Sequence, residues 1–173
     1  SARRQRQMCI RDRSTVVLGV FPTLGPYLLP RIMPALRRLK PKLTIRFIEE
    51  KSAKLIDLLD SGQVDAAILS ESLNAPSIKV CHVFDEDFLL ATSTNSLLGH
   101  ESKPIELSDL STQKVLLLED GHCMRRSMLD VCQKVGAKQS EFRATSLETL
   151  RYMVVGSKDV TLLPRLATVP PIV

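Results

Sequence analysis

The chain has 173 residues and a formal net charge of +5, and 44% of its residues are hydrophobic whereas only 4% are aromatic. This length is enough for one domain or two small lobes with an aliphatic core. No run approaches the roughly 20 apolar residues of a membrane span, and no apolar stretch follows the first arginines as in a signal peptide. We therefore expect a cytoplasmic protein with no membrane partner, whose four cysteines are free thiols, redox groups or metal ligands.

The positive charge is concentrated at one end of the chain. Residues 1–13 hold five arginines and one aspartate, a net charge of +4, which leaves only +1 of the total for the other 160 residues. A basic arm can bind nucleic acid, but this one is abrupt and has no apolar periodicity. We interpret residues 1–13 as a non-native leader, and the rest of the chain has no nucleic-acid signature of its own.

Strands and helices alternate through the first part of the chain. Strands are predicted at 15–20, 43–47 and 64–69, and helices from the turn at 21–26 to about Leu39 and from Ser52, the expected N-cap, to the Ser61-Gly62 stop. Pro30 and Pro34 interrupt the pattern of the first helix. This β-α-β-α-β order predicts an α/β fold with a parallel sheet.

The second part of the chain predicts a second lobe. Strands are expected at 78–84, with Cys81 packed in it, and at 88–91, and the polar stretch 92–103 then crosses between lobes. The predicted elements that follow are a short helix (105–110), a strand (115–118), a helix from Met124 that ends at Gly136, a strand (142–144), a helix opened by a capping box at Thr145-x-x-Glu148, and a strand (160–163).

Cys123 is predicted to lie where a buried strand gives way to a helix. The first backbone N–H groups of that helix and the cations Arg125 and Arg126 favour negative charge on its sulfur. His122 adds a hydrogen-bonding ring beside it. This pattern is typical of a reactive cysteine.

Cys132 follows Cys123 by nine residues. In one continuous helix, nine residues would place the two on opposite faces and about 13 Å apart, whereas a disulfide needs Cα atoms within about 7 Å. The pair would close only after local unfolding, as in a redox switch. On spacing alone, two unrelated cysteines, one at a turn and one in a helix core, are the favoured interpretation.

Several polar residues follow predicted strands at positions where α/β sheets bind ligands. They are Thr23 after the first strand, Ser52 after the second, and His122 with Cys123 in the other lobe. Each also has a purely structural explanation, because Thr23 and Ser52 are ordinary capping residues and His122 suits a turn. Their convergence on one cleft favours a functional site.

Four segments resemble the regulatory domains of the OxyR family of hydrogen-peroxide sensors, which are LysR-type transcriptional regulators. They are PTLGPYLLP (22–30), LLDSGQVDAAIL (58–69), LEDGHC (118–123) and FRATSLETLR (142–151). The resemblance implies an α/β fold of two Rossmann-like lobes of the periplasmic-binding-protein-like type, truncated at its C-terminus. Lobe I would span 14–91 and be incomplete, and lobe II, the LysR substrate-binding domain, would span 92–173.

The resemblance also implies a role for individual residues. Cys123 corresponds to the cysteine that attacks peroxide and Cys132 to its disulfide partner, whereas Thr23, Ser52 and His122 correspond to groups that bind peroxide. Arg125, Arg143 and Thr145 are expected to support the site. Arg126 and Glu141 depart from the family pattern, which has an acidic residue at the first position and, in some members, histidine at the second.

The implied protein is a transcription regulator and not an enzyme, with hydrogen peroxide as its ligand, a homo-oligomeric assembly and no cofactor. It would bind DNA only through a winged-helix domain that precedes the family's regulatory domain and is expected to be missing here.

Three other functions are compatible with parts of the sequence. A LysR-type domain could bind a small organic acid through Thr23, Ser52 and Thr145 without redox chemistry. A thiol peroxidase would use the same cysteine spacing, although the family resemblance argues against it. A metal site at Cys81-His82 and His122-Cys123 lacks the spacing of metal-binding motifs.

Overall fold

A computed structural model of the chain describes residues 15–70, 73, 75–96, 98 and 105–169. These residues form two compact units, one with the described residues up to Cys81 and the other beginning at His82. Strands and helices alternate in both units, so the predicted α/β class is confirmed.

The first unit is a three-stranded parallel sheet with two helices. Its elements are β1 (Thr15–Val20), α1 (Gly25–Leu39), β2 (Thr44–Glu49), α2 (Ser52–Asp60) and β3 (Ala66–Ile68). The strand order is β2-β1-β3, with Val20 opposite Glu49 on one side and Ile68 on the other. Because all three strands are parallel, their carboxyl ends lie at the same edge of the sheet.

Helix α1 accommodates two internal prolines. Pro26, Pro30 and Pro34 are spaced four residues apart and are all exposed. Residues at this spacing share one face of a helix, so the backbone positions that lack an N–H group lie toward solvent. The helix therefore continues to Leu39, the predicted end.

The core of the first unit lies between α2 and the sheet. Leu55 and Leu58 pack with Val64 in a buried cluster. Gly19 of β1 permits this approach, because a Cβ atom at that position would lie 2.7 Å from Leu55 Cδ2.

The second unit contains two pairs of strands. Its elements are β4 (Phe88–Ala91), a 3-10 helix (Leu107–Thr112), β5 (Lys114–Leu118), α3 (Cys123–Val135), β6 (Lys138–Ala144), α4 (Leu147–Val155), β7 (Thr161–Pro164) and α5 (Arg165–Thr168). Strands β5 and β6 are parallel, whereas β4 and β7 are antiparallel. The Leu116 N–H donates to the Val160 carbonyl at 2.8 Å, which joins β5 to the residue before β7.

Strand β5 is the buried centre of this unit. Its residues Val115 to Leu118 are each at most 2% exposed. Helix α3 packs against β5 and the 3-10 helix, and α4 packs against β5, β6 and β7. Gly136, with φ of +70°, ends α3 in a left-handed conformation, as predicted.

The strand predicted at 78–84 is wrong. These residues are irregular and pair with no strand among the described residues, although Val80 and Val83 are strand-forming types. Both are more than half exposed, and Cys81 is exposed too instead of packed in a strand. A strand needs a hydrogen-bonded neighbour as well as a suitable sequence.

The division between the two units falls between residues 81 and 82, ten residues before the predicted lobe boundary at 91/92. Strand β4, which the sequence assigned to lobe I, is hydrogen-bonded to β7 in the second unit. No helix in the described part of the chain is long and apolar enough to span a membrane.

Candidate functional site

Thr23 lies in the turn between β1 and α1. The N–H groups of Leu24 and Gly25 both donate to the Phe21 carbonyl, at 3.0 and 3.1 Å, and fix the turn. Thr23 is only 2% exposed, and its Oγ1 has no hydrogen-bond partner among the described residues. Its hydroxyl is therefore available to bind a ligand.

Ser52 does not cap α2, so its predicted role as the N-cap is wrong. The N-cap is Lys51, and Ser52 is the first helical residue. Its side chain is buried, and Oγ has no hydrogen-bond partner within the described ranges. Because Ser52 makes no capping hydrogen bond, helix capping does not explain why a hydroxyl residue lies at this position.

Thr23 and Ser52 occupy corresponding positions in the first unit. Each lies three residues beyond the end of its strand, β1 or β2, and these strands are parallel neighbours. A buried hydroxyl without a partner costs about 1–3 kcal/mol, so native proteins contain few of them. Two at one sheet edge make it a candidate ligand-binding position.

Cys123 is the first residue of α3. It is a free thiol and 6% exposed. His122 precedes it as the N-cap, with φ of −82° and ψ of 126°, and makes no side-chain capping hydrogen bond. The first N–H groups of a helix are not used within it and attract negative charge. The predicted placement of Cys123 at a strand-to-helix junction is confirmed.

Arg125 is buried beneath this junction with 7% of its surface exposed. Its Nη1 donates to the Leu118 carbonyl at 2.7 Å, and its Nε donates to Asp120 Oδ1 at 2.8 Å. The guanidinium thus ties the first turn of α3 to the end of β5. Its positive charge is shared with a carboxylate, which the sequence argument did not anticipate.

Arg143 reaches the same carboxylate from the end of β6. Its Nη1 donates to Asp120 Oδ2 at 3.5 Å, a distance at the limit for a hydrogen bond, and its side chain is about half exposed. Asp120 therefore lies between two cations. Sequence reasoning missed this residue, whose only signal was an acid between a buried strand and a helix that carries arginine in its first turn.

Thr145 is not the N-cap of α4, so the predicted capping box is wrong by one residue. The N-cap is Ser146, whose Oγ accepts a hydrogen bond from the Thr149 N–H at 3.1 Å. Thr145 is exposed. The register differs because β6 continues through Ala144 and the chain needs one more extended residue before the helix.

Cys132 lies in the last turn of α3 and is 3% exposed. It is also a free thiol. Burial raises the pKa of the Cys132 thiol above its ordinary value of 9.0, and a backbone hydrogen bond offsets part of the rise. This cysteine is therefore held in its protonated form at neutral pH.

One continuous helix joins Cys123 to Cys132. The separation calculated from the sequence assumed such a helix. Nine residues of α-helix correspond to about 13 Å along the axis and to opposite faces. In the first unit the structure brings Thr23 and Ser52 to one sheet edge, and in the second it places His122 and Cys123 next to each other at the start of α3. In the described part of the chain, no group of three or more His, Cys, Asp or Glu is placed to hold a metal.

Comparison with known proteins identifies the family. Residues 11–172 match the LysR substrate binding domain. The hydrogen peroxide-inducible genes activator of Dickeya chrysanthemi is 43% identical over 151 residues, which are 87% of this chain and 49% of that protein. The chain thus spans about half the length of the curated relatives that it matches.

Solved structures agree with this result. The crystal structure of the reduced form of OxyR has 40% sequence identity and a TM-score of 0.79, covering 91% of this chain and 73% of that one. The crystal structure of the oxidised form has 42% identity and a TM-score of 0.78, covering 91% and 74%. The chain therefore belongs to the LysR substrate-binding domain family and has the periplasmic-binding-protein-like α/β fold of OxyR regulatory domains.

Proposed function

We propose that this chain is the peroxide-sensing regulatory domain of an OxyR-type transcription regulator and that Cys123 and Cys132 are its redox pair. The observation that carries the proposal is the placement of two free thiols at opposite ends of α3, with Cys123 at the helix N-terminus. The names of the relatives, which are activators of peroxide-inducible genes, support the same function.

In the first step, the Cys123 sulfur attacks one oxygen of hydrogen peroxide. The O–O bond breaks, a sulfenic acid forms on Cys123, and the other oxygen leaves as water after taking up a proton. The sulfur loses two electrons, which reduce the peroxide. The first N–H groups of α3 lie beside the reacting sulfur, at the end of a helix that favours negative charge.

We assign Thr23, Ser52 and His122 to the binding of peroxide. Hydroxyl and imidazole groups hydrogen-bond both peroxide oxygens and assist protonation of the one that departs. The buried hydroxyls of Thr23 and Ser52 support this role because they have no hydrogen-bond partner among the described residues. Arg125 supports the start of α3 through its bond to the Leu118 carbonyl, and Arg143 lies at the end of β6. Exposed Thr145 has no contact that supports its assignment.

In the second step, the Cys132 thiol attacks the sulfenic acid. A disulfide forms between the two cysteines and the hydroxyl of the sulfenic acid leaves as water. Cys132 suits this later role because its raised pKa keeps it a thiol in the reduced fold, where it does not compete for peroxide.

The disulfide requires α3 to unwind. Within the helix, Cys123 and Cys132 are about 13 Å apart along the axis, whereas disulfide-bonded Cα atoms lie within about 7 Å. Oxidation would therefore exchange an ordered helix for a rearranged segment, and such an order-disorder change can repack an interface between subunits. We propose that the full-length protein is a cytoplasmic homo-oligomer that binds DNA through a separate domain and consumes peroxide only stoichiometrically.

The experiment that tests this function counts thiols and maps disulfides after peroxide treatment. We expect one equivalent of peroxide to remove two thiols per chain and to join Cys123 to Cys132. Cys132→Ser should stop at a sulfenic acid on Cys123, which a dimedone-type reagent traps, and Cys123→Ser should react with peroxide no faster than a free thiol. An internal disulfide in Cys123→Ser, or a wild-type chain inert to peroxide, contradicts the proposal.

A second candidate function is the binding of a small organic acid. Thr23 and Ser52 favour it, because their partnerless hydroxyls lie beside the N-termini of α1 and α2, where carboxylates are stabilised. A panel of organic acids would then raise the melting temperature of the wild-type chain but not that of Thr23→Val, and the thiols would be inert to peroxide. Steady peroxide turnover with a dithiol reductant would instead indicate a thiol peroxidase.

A further inference from the structure

We infer that Asp120 is a positioning residue for the switch, because its ion pair with Arg125 locks the start of α3 and has to open before Cys123 and Cys132 can join. The inference rests on the proposed function, and it adds a residue to which neither the sequence motifs nor the comparisons give a role. It concerns the second chemical step and not the reaction with peroxide.

Asp120 is at the meeting point of three elements. Its Oδ1 accepts from Arg125 Nε of α3 at 2.8 Å, and its Oδ2 accepts from Arg143 Nη1 of β6 at 3.5 Å. Arg125 Nη1 completes the connection to β5 through the Leu118 carbonyl at 2.7 Å. A backbone bond from the Glu119 N–H to the Ala144 carbonyl, at 2.9 Å, fixes the other side of the same turn.

The burial of Arg125 makes the Asp120 carboxylate important. Arg125 is buried, so its positive charge has little contact with water and depends on protein partners. The Asp120 side chain, in contrast, is 80% exposed, which allows its substitution without disturbing the core. Loss of this carboxylate would leave the bond from the guanidinium to the Leu118 carbonyl in place and would weaken the hold on the first turn of α3.

The two chemical steps make different demands on this lock. Peroxide reaches Cys123 while α3 is intact, so the ion pair is closed both before and during sulfur oxidation. Disulfide formation requires the first turn of α3 to move toward Cys132, which lies nine residues along the same helix. An interaction present in the ground state and absent from the transition state slows that step.

The test separates these two steps. In the Cys132→Ser background, Asp120→Asn should form the sulfenic acid at the rate of its parent, within about twofold. The reason is that α3 does not have to open for peroxide to react with Cys123. With both cysteines present, Asp120→Asn should close the disulfide about tenfold faster than wild type, because the hydrogen bond from the guanidinium loses its ionised acceptor. Acid quenching and thiol alkylation at timed intervals after a peroxide pulse measure closure.

Asp87→Asn is the matched control. It breaks another exposed aspartate-arginine pair of the same unit, between Asp87 Oδ2 and Arg165 Nη2 at 3.0 Å, which connects β4 to α5 and does not involve α3. Its closure rate should equal that of wild type. An acceleration as large as that of Asp120→Asn would indicate general destabilisation and would overturn the inference.

A second measurement varies the salt concentration. Because Asp120 is exposed, salt screens its attraction for the arginines, so closure should accelerate between about 0.05 and 0.5 M KCl in wild type and not in Asp120→Asn. Closure that is independent of salt in wild type, or unchanged in Asp120→Asn, overturns the lock but leaves the proposed function intact. A wild-type chain that forms no Cys123–Cys132 disulfide refutes the proposed function itself.

Discussion

Cys123 and Cys132 occupy the first and the last turn of one continuous helix. Both are buried and both are free thiols. The helix therefore keeps apart two groups that oxidation would join, and its stability sets how readily they meet. This relationship connects the folding energetics of a 13-residue helix to the proposed redox response.

Removal of the Thr23 hydroxyl should slow the reaction with peroxide without lowering the free energy of unfolding. Thr23→Val keeps the shape of the side chain and removes an oxygen that has no partner among the described residues, so the free energy of unfolding should stay the same or rise slightly. If that oxygen binds peroxide, the rate of sulfenic acid formation should fall by about tenfold or more. Urea unfolding and stopped-flow peroxide kinetics measure the two effects.

Thr161→Val is the control for this substitution. The Thr161 hydroxyl is also buried but donates to the Leu116 carbonyl at 2.9 Å. Its loss should lower the free energy of unfolding by about 1 kcal/mol or more and should not change the peroxide rate. If Thr23→Val also destabilised the chain and reacted normally, Thr23 would be a structural residue.

The buried Cys132 thiol should make the reduced chain less stable at high pH. Because burial raises the pKa of Cys132 above 9.0, the unfolded chain releases this proton at a lower pH than the folded chain. The stabilising contribution is therefore complete below the unfolded pKa and is lost as pH rises toward the folded pKa. The melting temperature should fall more steeply above about pH 9 in wild type than in Cys132→Ala, with a reductant present. Equal slopes would mean that the thiol ionises as easily in the fold as in water.

The C-terminal end of α3 should be sensitive to substitution of Gly136. Its φ of +70° is strained for any residue with a Cβ atom, although no atom lies within 4 Å of the position where that Cβ would be. Gly136→Ala should therefore cost about 1 kcal/mol through backbone strain alone. By weakening α3, it should also speed closure of the disulfide.

Gly156→Ala is the companion control for Gly136→Ala. Gly156 ends α4 with φ of −95°, which alanine adopts readily, and it also has open space around it. This substitution should be neutral or stabilise the chain by about 0.5 kcal/mol. Equal destabilisation by the two alanines would show that the left-handed conformation is not the cause.

Much of the fold follows from patterns that are local in sequence. The β-branched run of β1 and the apolar run of β5 gave strands within one residue of their true ends, and Gly136 correctly marked the end of α3. Strand β5 is buried, and the left-handed backbone at the end of α3 favours glycine. The sequence therefore determines them with little tertiary context.

The errors arose where a neighbour decides the structure. Residues 78–84 have a strand-forming sequence but no partner strand within the described ranges. Ser52 and Thr145 have the residue types of helix caps, yet Lys51 and Ser146 are the actual N-caps. A shift of one residue in a helix start is decided by how the preceding strand ends, which the capping motif alone does not encode.

The positions of the two cysteines in the candidate site could be predicted from the sequence, but the ion pair beside them could not. Cys123, His122 and Cys132 could be placed from the strand-to-helix pattern and from their spacing. The ion pair between Asp120 and Arg125 could not, because it depends on the direction of a side chain that joins the helix to the end of β5. The sequence suggested that this arginine serves the sulfur alone.

The most direct test of the switch is amide hydrogen exchange of residues 123–135 in the reduced chain and in the chain oxidised by one equivalent of peroxide. In the reduced chain these amides should be protected as in a stable helix, and after oxidation the protection should be lost across the segment while that of β5 is kept. A mapped Cys123–Cys132 disulfide with α3 still fully protected would contradict the claim that the helix has to unwind for the two sulfurs to meet.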